Sequence, residues 1–165
     1  MTVHIFTTGG TIDKVYFDAK SAYAVGEPQI STILEQVGVT FSFEVDALMR
    51  KDSLEMTDAD RALIAERVGA CPETRVLITH GTDTMAHTAE ALTAALGADV
   101  GGKTVVLVGS LTPARFRTTD AEFNLGFACA AVQTLGPGAY LAMNGQIFPA
   151  GHVRKNREAN RFESV

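Results

Sequence analysis

The sequence predicts an α/β fold: a doubly wound, mostly parallel sheet with helices on both faces, in a single domain. Three observations carry that reading. Short apolar runs recur along the chain, segments with helical spacing alternate with them, and 165 residues suit one compact domain. Strands that are apolar throughout are buried on both faces, which is the condition of a parallel sheet covered by helices.

The first strand is read over Val3 to Phe6. A first helix follows, with Pro28 ahead of it and Ile30, Ile33, Leu34 and Val37 on one face. Phe41 to Leu48 reads as the second strand, after which Thr57-x-x-Asp60 opens a second helix. Val76 to Ile78 is too short for a helix and leads into a helical stripe of Met85, Ala89, Leu92 and Leu96. Thr104 to Val108 is the next strand, and Thr119-x-x-Glu122 opens a last helix carrying Phe123, Phe127, Ala131 and Leu135. Ala139 to Met143 closes the series. No repeat or low-complexity tract interrupts it, and Gly136-Pro137-Gly138 is too short to link two domains. Ligands of open α/β sheets bind beyond the carboxyl ends of the strands. Thr7 to Thr11, Thr79 to Thr84, Ser110 to Arg117 and the residues from Asn144 onward are therefore expected to border one crevice.

Nineteen acidic against fourteen basic residues give a net charge of −5, which disfavours nucleic acid and anionic membranes and leaves small molecules as the expected partners. The basic stretch Arg154 to Arg161 is broken by Glu158 and two asparagines and reads as solvated surface or interface. Cys71 and Cys129 form no C-x-x-C pair and are read as reduced core thiols. The N-terminus lacks a basic head and long apolar run, so a cytoplasmic setting is expected. No metal site is read, because no constellation completes around His80 and His87. His4 is taken for a satisfied core or edge histidine, and His152 for a residue flanking Lys155.

Two strand exits carry the chemistry. Thr7-Thr8-Gly9-Gly10-Thr11 lets the backbone turn sharply and sets the Thr11 hydroxyl at a strand end. Read alone, it is only a tight exit, and it is not the G-x-G-x-x-G fingerprint of dinucleotide binding. His80-Gly81-Thr82-Asp83-Thr84 precedes the next helix. There Thr82 or Asp83 is either a helix cap or, with the free backbone donors, an anion site with a carboxylate beside it for a substrate ammonium.

Together, about seventy residues apart, these motifs resemble the two signatures of the bacterial L-asparaginase family. The resemblance extends to Ser21-Ala22-Tyr23-Ala24-Val25-Gly26, to Asp52-Ser53-Leu54-Glu55-Met56 and to His152-Val153-Arg154-Lys155-Asn156. It implies Thr11 as nucleophile, Tyr23 as the catalytic tyrosine of a mobile loop, and Thr82, Asp83 and Lys155 as catalytic partners. It further implies substrate binding by Gly10, Ser53, Thr82 and Asp83, with no cofactor and no metal. The implied reaction converts asparagine to aspartate and ammonia through an acyl-enzyme ester. Either Tyr23 or the Thr82–Lys155 pair acting through water serves as proton acceptor.

Leu54 departs from the family, standing where many members carry a polar residue that helps hold the substrate α-carboxylate. The family's usual C-terminal domain has no counterpart before Val165, so a natural short form is expected, with residues 1–165 as the catalytic domain. Apolar surface left by the absent domain predicts a homo-oligomer, dimer or tetramer, with active sites near the subunit contacts. The rivals are a glutaminase or other small-amide hydrolase, and a catalytically weak amino-acid-binding module.

Overall fold

Strand and helix alternate as the apolar pattern requires. In the computed structural model, which describes residues 1–165, the chain runs through β1 (Thr2–Gly9), a hairpin of β2 (Lys14–Phe17) and β3 (Ala22–Val25), α1 (Ile30–Gln36), β4 (Ser42–Lys51), α2 (Asp58–Ala70), β5 (Arg75–Thr79), α3 (Met85–Leu96), β6 (Thr104–Val108), α4 (Ala121–Thr134), β7 (Gly138–Met143), β8 (Gln146–Pro149) and a second hairpin of β9 (Val153–Asn156) and β10 (Arg161–Ser164). Six strands form one sheet in the order β4-β1-β5-β6-β7-β8, parallel except for the antiparallel β7–β8 edge. One cluster of 35 buried apolar residues holds the sheet and its helices together, so these residues form a single domain.

Side-chain direction alternates along a strand, which fixes the helix faces. On β5, His80 just past the strand end bonds Thr88 of α3, while Arg75, of opposite parity, reaches the Leu135 carbonyl at the end of α4. α3 and α4 therefore cover opposite faces, although β5–β6 and β6–β7 step the same way across the sheet. The two crossovers have opposite hand, and one of them departs from the right-handed rule.

Local signals account for several element ends. Thr57 and Asp60 form the expected capping box at α2. The box expected from Thr119 and Glu122 does not form. Thr119 Oγ1 instead accepts from the Ala121 N–H, and the neighbouring Asp120 carboxylate turns away to accept from Leu111 and Thr112. β4, expected to be apolar throughout, is an edge strand whose half-buried and exposed positions largely alternate, because solvent meets its outer face. Val37 lies past the end of α1 and is exposed rather than on its buried face.

Candidate active site

From β1 the chain passes to β4 at the sheet edge and then returns past β1 to β5. The loops leaving β1 and β5 meet at this reversal of strand order, the place where a ligand crevice is expected in an open α/β sheet. Gly9 and Gly10 turn the chain with φ of 94° and 90°, a conformation that side chains rarely adopt. A Cβ on Gly10 would lie 2.5 Å from the backbone of Gly81, and one on Gly81 would lie 2.6 Å from the Ser53 side chain. Three turns, from β1, β5 and the end of β4, thus touch at backbone distance. The observed contribution of Gly10 is this close approach. Thr11, next in sequence, opens a 3-10 turn (Thr11–Asp13) and is half-buried.

Lys155 on β9 donates to Thr82 Oγ1 at 2.7 Å and to Asp83 Oδ1 at 2.9 Å. The lysine side chain is only 13% exposed, so its ammonium is held rather than solvated. Arg157 adds a second cation 3.9 Å from the same Asp83 oxygen. Neither Thr82 nor Asp83 caps α3; Thr84 occupies that position and its hydroxyl donates instead to the Ser53 carbonyl at 2.8 Å. The N–H groups of Gly81, Thr82 and Asp83 have no protein acceptor. They supply donors at the positive end of the α3 dipole.

His80 is fully buried and joins the Gly81 carbonyl and Thr88 Oγ1, each at 2.8 Å. Burial pushes its pKa down to about 4, so it serves as a neutral strut beneath the motif. Ser53 is buried at the start of a 3-10 turn, whereas Leu54 beside it is exposed. Tyr23 is half-exposed on β3 and packs against Tyr16 and Phe116, and its hydroxyl makes no hydrogen bond within the chain. A cavity of about 260 Å³ lies on the α3–β9 side of Lys155, lined also by Thr82, Asp83, His87, Glu90 and Arg157. It does not extend to Thr11, Tyr23 or Ser53.

Three polar groups that sequence reasoning passed over support the crevice. Asp13, two residues past Thr11, is buried; its Oδ1 accepts from Gln29 N–H and its backbone carbonyl from Gly26 N–H, which fastens the root of the β2–β3 hairpin. Lys14 pairs with Asp52 at 2.8 Å, joining that hairpin to the Ser53 turn, and this contact holds the Asp52 carboxyl below the usual carboxylate range. Asp120 clamps the β6–α4 loop, from which Ala114 N–H reaches the Ile12 carbonyl beside Thr11. Their only sequence signal was proximity to a motif. The crevice gathers no group of metal ligands; such a group, His4, Cys71 and Glu73, forms at the other end of β1.

A family model described as "Asparaginase, N-terminal" matches residues 2–165. The chain belongs to this asparaginase family. Among its relatives, "Probable L-asparaginase periplasmic" of Haemophilus influenzae is 33% identical across 93% of this chain and 46% of that protein. "Glutaminase-asparaginase" of Acinetobacter glutaminasificans is 30% identical across 93% of this chain and 49% of that protein. The thermostable L-asparaginase from Thermococcus kodakarensis superposes with a TM-score of 0.83 at 26% identity, covering all of this chain and 51% of that one. The chain thus spans about half the length of the curated relatives it matches and corresponds to the asparaginase N-terminal domain. The shared doubly wound fold agrees with the sequence expectation.

Proposed function

We propose that residues 1–165 form the catalytic domain of an amidohydrolase that converts L-asparagine to L-aspartate and ammonia. The observation that carries this reading is the reach of Lys155 to both Thr82 and Asp83, beside the contact between Gly10 and Gly81. Family membership supports the same chemistry.

In this reading Thr11 Oγ attacks the side-chain amide carbon, ammonia leaves, and water hydrolyses the resulting aspartyl ester. The free N–H of Thr82 stabilises the oxyanion. Asp83 holds the substrate ammonium and Ser53 its α-carboxylate. Of the two proton paths to Thr11, the geometry favours Thr82 and Lys155, because the lysine nitrogen already lies 2.7 Å from the threonine oxygen, while the Tyr23 hydroxyl is unattached. A cytoplasmic setting fits the two free thiols, Cys71 and Cys129.

Ammonia release from asparagine, measured for the wild type beside Thr11→Ala, Thr82→Val and Lys155→Met, tests the assignment. Each variant is expected to lose about 10²-fold or more in kcat, and a near-wild-type rate in Thr11→Ala would remove Thr11 as nucleophile. A relative named glutaminase-asparaginase makes glutamine the comparison substrate, and one methylene is worth only about 1–3 kcal/mol of discrimination. Asparagine is expected to be the better substrate, and a glutamine preference would overturn that assignment. Calorimetric binding of aspartate with no turnover above the Thr11→Ala level would identify a binding module instead.

A further inference from the structure

At the opposite end of β1 from Thr11, three side chains of metal-ligating type converge: the imidazole of His4, the thiol of Cys71 and the carboxylate of Glu73. Their ligand atoms all lie within 4.8 Å of one another. His4 sits on an inner strand of the sheet, Cys71 at the end of α2, and Glu73 in the turn leading to β5. Sequence reading expects His4 to be satisfied, but both of its ring nitrogens are buried without a hydrogen-bond partner, as is Glu73 Oε2. His4 Nδ1 approaches Glu73 Oε2 to 3.3 Å without forming a hydrogen bond. Buried polar atoms left unpaired cost free energy and call for an occupant.

We propose that this cluster is a binding site for a borderline divalent cation of the zinc type. Imidazole nitrogen, thiolate sulfur and carboxylate oxygen are the three donor classes such an ion takes, and a fourth, aqueous ligand completes a tetrahedron. An adjoining cavity of about 220 Å³, lined by His4, Phe6, Asp46, Arg67, Ala70, Cys71 and Pro72, provides entry and room for water. Two anionic ligands neutralise the ion, and binding displaces the thiol proton. Two features oppose it: burial pushes the Cys71 thiol up and its Sγ donates to the Glu73 carbonyl at 3.5 Å, and the Lys103 ammonium donates to the Cys71 and Glu73 carbonyls at 2.7 and 3.0 Å. Those bonds also fix the turn that presents both ligands. Hard cations such as magnesium, which prefer an all-oxygen shell, do not match the donor set.

The site lies roughly 17 Å of strand from the Gly9–Gly10 turn, taking about 3.3 Å per residue. Its role is therefore to pin the α2–β5 turn to β1, separate from the proposed chemistry. Cobalt(II) titration of the purified metal-free chain tests it. The expected result is one equivalent bound with a thiolate-to-cobalt charge-transfer band in the near ultraviolet, bleached by equimolar zinc. The band should be lost in Cys71→Ser, weakened at least tenfold in affinity in His4→Gln and Glu73→Gln, and unchanged in Cys129→Ser. Zinc is expected to raise the Tm of the wild type and not of Cys71→Ser. Absence of the band in the wild type, or its survival in Cys71→Ser with circular dichroism unchanged, overturns the proposal.

Discussion

Asp13 shows how a single carboxyl can tie the site to pH. Burial pushes its pKa up from 3.8 to about 6, against the smaller opposing effects of the Gln29 N–H and of Arg50. A carboxyl whose folded pKa is raised binds its proton more tightly in the native state. Its contribution is therefore favourable below about pH 4 and is lost as pH rises through about 6, a change of up to about 3 kcal/mol. In urea unfolding, Asp13→Asn should keep the Gln29 contact, remove that pH slope between about 4 and 6, and be the more stable protein at pH 7. Equal slopes for variant and wild type would show that Asp13 is not buried as described. Apart from its closeness to the Thr11 motif nothing in the sequence flagged this residue, because burial is set by tertiary neighbours. Thr11, Thr82 and Asp83 drew attention for the opposite reason: their motifs lie at strand exits, whose glycines and hydroxyls are local features. Ser53 and Lys155 were singled out only through the family resemblance, and the Lys155 contact with Thr82 spans 73 residues.

The hairpins are the elements that periodicity could not reveal. β2–β3 and β9–β10 are four-residue strands paired only with each other, and neither carries a run of buried apolar residues. β8 did leave a signal, the Asn144-Gly145 pair, both residues at positive φ, which turns β7 back on itself. The inner strands β1, β5, β6 and β7 were legible because burial on both faces makes them apolar; the expected range matches β6 at both ends and falls one to four residues short on the other three. The β2–β3 hairpin hangs from Asp13 at its root and from the Lys14–Asp52 pair at its side. Both partners of that pair are about 30% exposed, so its removal should cost under about 1 kcal/mol. Lys14→Met is accordingly expected to accelerate amide exchange across residues 14–25 several-fold while leaving α2, α3 and α4 unchanged. Uniform acceleration through the sheet would show that the pair supports the fold and not the hairpin alone.

Taken whole, the molecule buries its apolar side chains in one core yet leaves an aromatic surface beside the crevice. Tyr16, Phe17, Tyr23 and Phe116 are each 42–53% exposed, and Tyr23 joins Tyr16 and Phe116 at ring separations of 5.4 and 6.0 Å. Contiguous apolar patches of this kind are uncommon on monomers and mark association surfaces. With a net charge of −5, an acidic partner surface is disfavoured, whereas apolar contact between copies buries the aromatic rings without requiring charge complementarity. We therefore expect light scattering of the purified chain to give two or four times its 17.5 kDa mass. The double variant Tyr16→Ser, Phe116→Ser should shift that mass toward the monomer. Because the patch includes Tyr23 and hangs on the hairpin rooted next to Thr11, the same variant is expected to lower ammonia release together with the mass. A monomeric wild type at micromolar concentration would refute self-association through this face. An unchanged oligomer in the double variant would move the contact elsewhere on the surface.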